Sequence, residues 1–354
     1  MQETRHPAFL QTLRALLAIV MLAALFSGVG VRAAEPDGPR MVIPLGQTAG
    51  IKLFSDGVLV VGFSEIATGS GTVSPAKEGG LKEGDVITRM DGEPVSSIER
   101  VQEILQERED RPLPVEVLRD GDPEALTVQA VRCRADGAYK LGAWIRDSMA
   151  GIGTLTFADP ETGRFGTLGH GVNDVDTAVL MKLQSGSVTP ASVAGVVKGQ
   201  DGKPGELRGA FRTEDELGTL YANTERGVFG HLTAPETLSG KPIPVAEADQ
   251  VRPGNAVILA NVSGTAVEEY TVEILKVYDH ALDARDLMLR ITDPRLLERT
   301  GGIVQGMSGS PILQDGRLAG AVTHVLIDHA DRGYGILACH MLEEAEARDK
   351  PAEG

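Results

Sequence analysis

Cysteine is almost missing from the 354-residue chain: only Cys133 and Cys339 occur. That excludes a disulfide framework and a Cys-rich zinc site, and leaves two readings, a pair of inert buried thiols or one long-range bridge. Aromatic residues are scarce at 4%, so the core must be aliphatic, while 43 glycines point to a turn-rich β protein. Basic side chains are outnumbered, 34 against 50 acidic, for a net charge of −16. Such a surface repels phosphate backbones and argues against a nucleic-acid partner. Long apolar runs are absent except for one, the twelve residues from Ala15 to Phe26.

That run follows a basic lead of Arg5, His6 and Arg14. Ser27, Gly28 and Gly30 then loosen the chain before Val31-Arg32-Ala33, which sets small side chains at the positions a signal peptidase reads. Residues 1–34 therefore read as an export signal. Stretched over residues 15–31 the segment reaches about 17 residues, the lower limit for a spanning helix, so an uncleaved membrane tether is the second reading. Under either, the rest of the chain is expected to work beyond the cytoplasmic membrane.

Length suggests two domains after the leader. Short β-like runs at Met41–Leu45, Gly50–Phe54 and Val58–Phe63 precede a helical stripe at Ile98, Val101, Ile104 and Leu105. Leu113–Leu118 and Ala125–Val131 read as a hairpin across Arg119-Asp120-Gly121-Asp122. Together they predict an α+β domain over 41–131. From 137 to 345 short strands alternate with Gly, Pro and Asp turns, which predicts a sandwich or paired barrels. Only Pro294–Arg299 and Met341–Arg348 read as helices there, and 346–354 reads as a charged, frayed tail.

Chemistry concentrates in Gly301-Gly302-Ile303-Val304-Gln305-Gly306-Met307-Ser308-Gly309-Ser310-Pro311. Glycines around a serine let backbone amides turn inward toward a developing oxyanion, with Gly306 and Ser308 as the donors. The base to match is His170, which ends the run Phe165-Gly166-Thr167-Leu168-Gly169. Among the other histidines, His6 lies in the leader, and His231, His280 and His329 read as surface residues. His324 reads as a core or supporting residue, and His340 has no evident chemical companion. For the orienting acid, Asp293 competes with its simpler role as a helix cap before Pro294, and Asp174 and Asp176 are rivals. The same aspartates beside His170 raise a metal site, against which the missing fourth ligand counts. No cofactor is needed.

The order Ala49-Gly50-Ile51-Lys52-Leu53, Gly57-Val58-Leu59-Val60, Gly80-Leu81 to Ile87 and Met90 to Val95 resembles a PDZ domain of bacterial proteases. It implies a carboxylate-binding loop at Ala49–Ile51 and peptide addition to the strand through Leu53. The serine loop and His170 resemble the two-barrel, chymotrypsin-like proteases. Phe165–His170 with Asp174 and Asp176, Ile291–Asp293, Thr300–Ile312 and Gly320–His324 together resemble the stage IV sporulation protein B peptidases. The fold expected is thus mainly β: a signal or anchor helix, a PDZ domain, then two chymotrypsin-like barrels. The resemblance implies a secreted regulatory serine endopeptidase with His170, Asp293 and Ser308 as its triad, cutting itself and a membrane-bound regulator between the two membranes around a forespore. That cut would free an intramembrane protease that activates a late sigma factor. The rival reading is an exported peptide-binding scaffold on a dead protease fold.

Overall fold

The computed structural model describes residues 38–211, 215–278 and 284–349. The expected leader, His6 and His280 lie outside them. No helix among the described residues is long and apolar enough to cross a membrane.

Two six-stranded rings dominate residues 41–349. The first is built from β2 (Thr48–Phe63), β6 (Ala143–Ala158), β7 (Arg164–Thr167), β8 (Leu183–Val197), β10 (Gly218–Thr224) and β11 (Gly227–Leu232). Pairing runs β2–β6–β7–β11–β10–β8 and back to β2. The second, a closed barrel, is built from β12 (Gly254–Ala260), β13 (Glu268–Val277), β14 (Leu287–Ile291), β15 (Pro311–Gln314), β16 (Arg317–Leu326) and β17 (His329–Leu337). It closes in the order β12–β13–β14–β17–β16–β15. Numbered along the chain, both rings wind 1-2-3-6-5-4, so one topology occurs twice. Alternation explains each interior: Ile51, Leu53, Leu155, Phe165 and Val188 fill the first, and Ile258, Val272, Ile274, Leu289 and Ile312 the second.

The PDZ fold is an excursion inside the β2–β6 hairpin rather than a domain ahead of the barrels. At Gly57 (φ +114) β2 leaves the first ring, and Val58–Leu59 pair with β3 (Val86–Met90). The chain then forms α1 (Ile98–Arg108) and the hairpin β4 (Pro112–Arg119)–β5 (Asp122–Gln129), and returns along β6. The helix matches its apolar spacing: Val101, Ile104 and Leu105 are buried against Val58, Ile87, Val115 and Val117. Ser97 caps it, its hydroxyl accepting from Arg100 N at 3.1 Å. The hairpin turns at Asp120 and Gly121, both at positive φ, with Arg119 opposite Asp122.

This arrangement corrects the domain boundary at 41 and the peptide site at Ala49–Leu53. Those five residues pair with β6 on one side (Ile51 opposite Gly151) and β8 on the other (Ile51 opposite Val188). A strand with both edges paired has no free amides to offer. Gly50 is a packing glycine, since a Cβ there would overlap the Phe211 ring. The edge left unpaired beside α1, among the described residues, is Ala143–Asp147 of β6. Asp147 accepts from Ile98 N at 2.9 Å at one end of the helix, and the Gln106 carboxamide grips Tyr139 N and O at the other. Sequence reasoning passed over this segment because it assigned everything from residue 137 to the second domain.

Cys133 and Cys339 are both buried and form no disulfide, so the bridge reading fails. Residues 346–349 of the expected tail are held in place. Helix α3 (Ala338–Arg348) packs on the barrels, and Asp349 accepts from Arg164 (2.7 Å) and His231 (2.9 Å).

Candidate active site

His170 and Ser308 line one cleft of about 540 Å³ where the two barrels meet. His170 arrives there by strained backbone. After β7, Leu168 (φ +67) and Gly169 (φ +70) are both left-handed. A leucine in that region is costly and persists only where its surroundings dictate it. The double turn swings the chain out of the first barrel and delivers His170 to the gap.

Ser308 sits on the loop between β14 and β15. The helix α2 (Pro294–Thr300) stops at Gly301 in the left-handed region, and the loop that follows is anchored by the buried Met307. The first barrel staples this loop. Thr154 Oγ1 donates to Gly306 O (2.8 Å), Thr154 N donates to Ser308 O (3.0 Å) and Thr156 Oγ1 donates to Gly309 O (2.8 Å). Sequence reasoning missed both threonines, although two buried Thr on one face of Thr154-Leu155-Thr156-Phe157 is an uncommon choice for an aliphatic core. With these carbonyls held outward, the amides of Gly306 and Ser308 make no hydrogen bond among the described residues. Both residues line the cleft, so their amides are unspent donors at its wall.

The His170 ring is held on one side. Its Nδ1 lies 2.7 Å from Gly171 O, and because a carbonyl only accepts, Nδ1 carries the proton and Nε2 the lone pair. Burial pushes this imidazole's pKa below its ordinary value, while the Gly171 carbonyl and the charge of Glu225 pull the other way. His324 packs against the ring at a tilt of 36°, with 4.9 Å between centroids. Ser308 Oγ donates to Thr323 O at 2.7 Å, a resting rotamer turned toward β16.

None of the three aspartates put forward as the orienting acid hydrogen-bonds the His170 ring here, whose Nδ1 faces Gly171 O. Asp293 caps α2 and accepts from Arg295 N (2.9 Å) and from the Arg295 guanidinium (3.0 Å). That guanidinium, then burial, govern its carboxyl, with the net effect a pKa below the usual carboxylate range. Asp293 does not line the cleft that holds His170 and Ser308. Asp174 is buried and bound by Arg146 and by Thr177 (N at 2.9 Å), and Asp176 also pairs with Arg146 (2.9 Å). Among the described residues no group of three or more His, Cys, Asp or Glu is arranged to hold a metal ion. His340 does have a companion, Asp286, at 2.8 Å. A hollow of about 650 Å³ beside Tyr270, Arg295 and Arg299 contains neither serine nor histidine of this pair.

The sequence profile of the family described as SpoIVB peptidase S55 matches residues 137–342, and a PDZ-domain profile matches residues 67–119. No curated protein matches the chain. Among solved structures, the active form of the Rv3671c protease from M. tuberculosis is similar at 17% identity, covering 57% of this chain and 76% of that one, with a TM-score of 0.35. The HtrA-type protease AlgW with a tripeptide is similar at 15% identity, covering 56% of each chain, with a TM-score of 0.35. The PDZ domain of the SdrC-like protein Lmo2051 from Listeria monocytogenes is similar at 19% identity, covering 25% of this chain and 87% of that one, with a TM-score of 0.21. Because the first profile spans more than half of its length, the chain belongs to the SpoIVB peptidase S55 family of serine endopeptidases, and it carries a PDZ domain within its first barrel.

Proposed function

We propose that the protein is an exported regulatory endopeptidase that cuts a membrane-bound regulator during endospore formation, with Ser308 as nucleophile and His170 as base. The observation that carries the chemistry is one cleft holding a serine, a histidine with its Nε2 lone pair free for base work, and two unbonded amides. On substrate binding the Ser308 hydroxyl leaves Thr323 O for His170 Nε2, which takes its proton as Oγ attacks the peptide carbonyl. The amides of Gly306 and Ser308 receive the oxyanion. The imidazolium then protonates the departing amine, and water repeats the sequence to free the acid. Leu168, Val304 and Val325 give the cleft apolar walls, which suits an apolar side chain beside the scissile bond.

Co-production with a membrane-anchored regulator of an intramembrane metalloprotease tests the biological reading. Wild type releases a fragment of the regulator and Ser308→Ala does not. An intact regulator beside an enzyme that still cuts model peptides removes this substrate class. An inert protein in both assays favours the scaffold alternative.

Two further outcomes follow. The base must be neutral, and burial lowers its pKa, so kcat/KM is lost on acidification at a midpoint below the ordinary imidazole value. A midpoint above that value contradicts the assignment. Peptide docking is expected on Ala143–Asp147 beside α1. Hydrogen exchange with a saturating peptide bearing a free apolar C-terminus slows amides 143–147, whereas 49–53 are slow with or without it. No change at 143–147 overturns this placement.

A further inference from the structure

We propose that one substrate chain lies along the whole outer edge of β6, its free C-terminus in the groove beside α1 and its scissile bond at Ser308, so that the protein cuts at a set distance from the end. This rests on Ser308 as nucleophile and on peptide docking beside α1. β2 pairs with β6 from Ala143 through to Thr154, so it takes the same edge throughout. The opposite edge is then one continuous line. Among the described residues no strand pairs with it until β7 joins at Leu155. Exposure follows the same division: none of residues 143–152 is buried, whereas Gly153–Ala158 all are.

Thr154 shows where the line leads. Its N–H donates to Ser308 O (3.0 Å) and its carbonyl accepts from the Thr167 hydroxyl (2.6 Å), so both polar groups turn away from β2. Antiparallel pairing alternates, and the register is regular from Ser148 to Thr154. Ile152 and Ala150 therefore also turn N–H and C=O outward. Neither has a backbone partner there among the described residues. Met149–Ile152 line the cleft that holds Ser308, together with Val172 and Val175.

The other end gives the direction and the occupant. Leu141 and Gly142, just before Ala143, are buried, yet their N–H groups make no hydrogen bond among the described residues. Buried amides without partners are rare, and a terminal carboxylate would satisfy both. A chain ending there runs antiparallel to β6. Its earlier residues pass Asp147, then Ala150 and Ile152, and so reach Ser308. The substrate is thereby a polypeptide with a free C-terminus. From Ala143 to Ile152 an extended strand covers about 30 Å, which sets the cut about 10 to 13 residues from the end.

The test uses the full chain and a Ser-Ala-Leu repeat peptide of about 30 residues that ends in Leu, longer than the edge it must cover. Because every repeat is the same, sequence alone cannot choose the site. Mass spectrometry is expected to show one C-terminal fragment of about 10 to 13 residues. The C-terminal amide loses the charged partner of the two N–H groups, and its kcat/KM falls about 10-fold. Ala150→Pro deletes an outward N–H at an exposed edge position and spreads the cuts over several repeats. A ladder of fragments from the wild type, an uncut peptide, or an equal rate on the amide overturns the proposal. Hydrogen exchange separates the failures. A ladder with amides 143–147 protected by the peptide removes only the connection between two working sites, no protection at 143–147 removes the docking site, and a Ser308 that takes no fluorophosphonate removes the nucleophile.

Discussion

Ser308→Ala and His170→Ala each lower kcat/KM by on the order of 10⁴-fold or more, and the double variant is little worse than either. The three losses coincide because nucleophile and base act as one unit. Without the imidazole the hydroxyl keeps its proton, and without the hydroxyl the imidazole has no proton to take. What remains is the modest rate supplied by the two amides and by substrate positioning. Both side chains sit at the cleft surface, and Ser308 surrenders one hydrogen bond to Thr323 O, so thermal unfolding should fall by no more than a few degrees. Additive losses in the double variant would separate the two residues and contradict a shared step.

Gly309→Ala carries the second large effect, and it acts through the backbone. Gly309 lies at φ +96, and a Cβ there would overlap Thr154 O and press on Leu168 N. Thr154 is the residue that staples Gly306 and Ser308, and Leu168 begins the turn that delivers His170, so one methyl group disturbs both halves of the site. The expected loss is about 3 kcal/mol of stability together with about 100-fold in kcat, the latter because the oxyanion amides move. Gly316→Ala is the control. It shares a positive φ (+75) but nothing lies within 4 Å of its Cβ, so it costs about 1 kcal/mol and leaves kcat unchanged. Urea unfolding and peptide cleavage on the two variants decide the matter. Equal losses in both would reduce the Gly309 effect to backbone preference alone.

Much of this was legible in the chain because the signals are local. The apolar spacing at Ile98, Val101, Ile104 and Leu105 gives α1, Asp120-Gly121 gives the β4–β5 turn, and Asp293-Pro294 gives the start of α2. A glycine-flanked serine alone is a weak signal because Gly/Ser turns are common, and Ser308 stood out because His170, at the end of an earlier strand, offered a base to match it. What was missed is nonlocal. Thr48–Phe63 is one strand that serves two sheets, so its first half looked like part of the PDZ domain when it is the first strand of a barrel. Pairing partners decide that, and strand pairing across a hundred residues leaves no mark on composition. Asp293 is found on Arg295 rather than on His170, and the sequence could not show that for a related reason. A cap and a catalytic aspartate have the same local sequence, and only the position of Arg295 tells them apart. Thr154 and Thr156 hold a loop far from them in sequence, and although two buried threonines on one strand face are a local signal, the loop they hold is not written beside them.

The account stands on Ser308 being activated by His170 across the gap between the barrels. Mass spectrometry of the full chain after brief exposure to a fluorophosphonate measures this directly. One adduct is expected, mapped by digestion to Ser308, forming faster as pH rises through the His170 titration and absent from His170→Ala. An adduct on another residue, or one that forms at the wild-type rate without the imidazole, would contradict it.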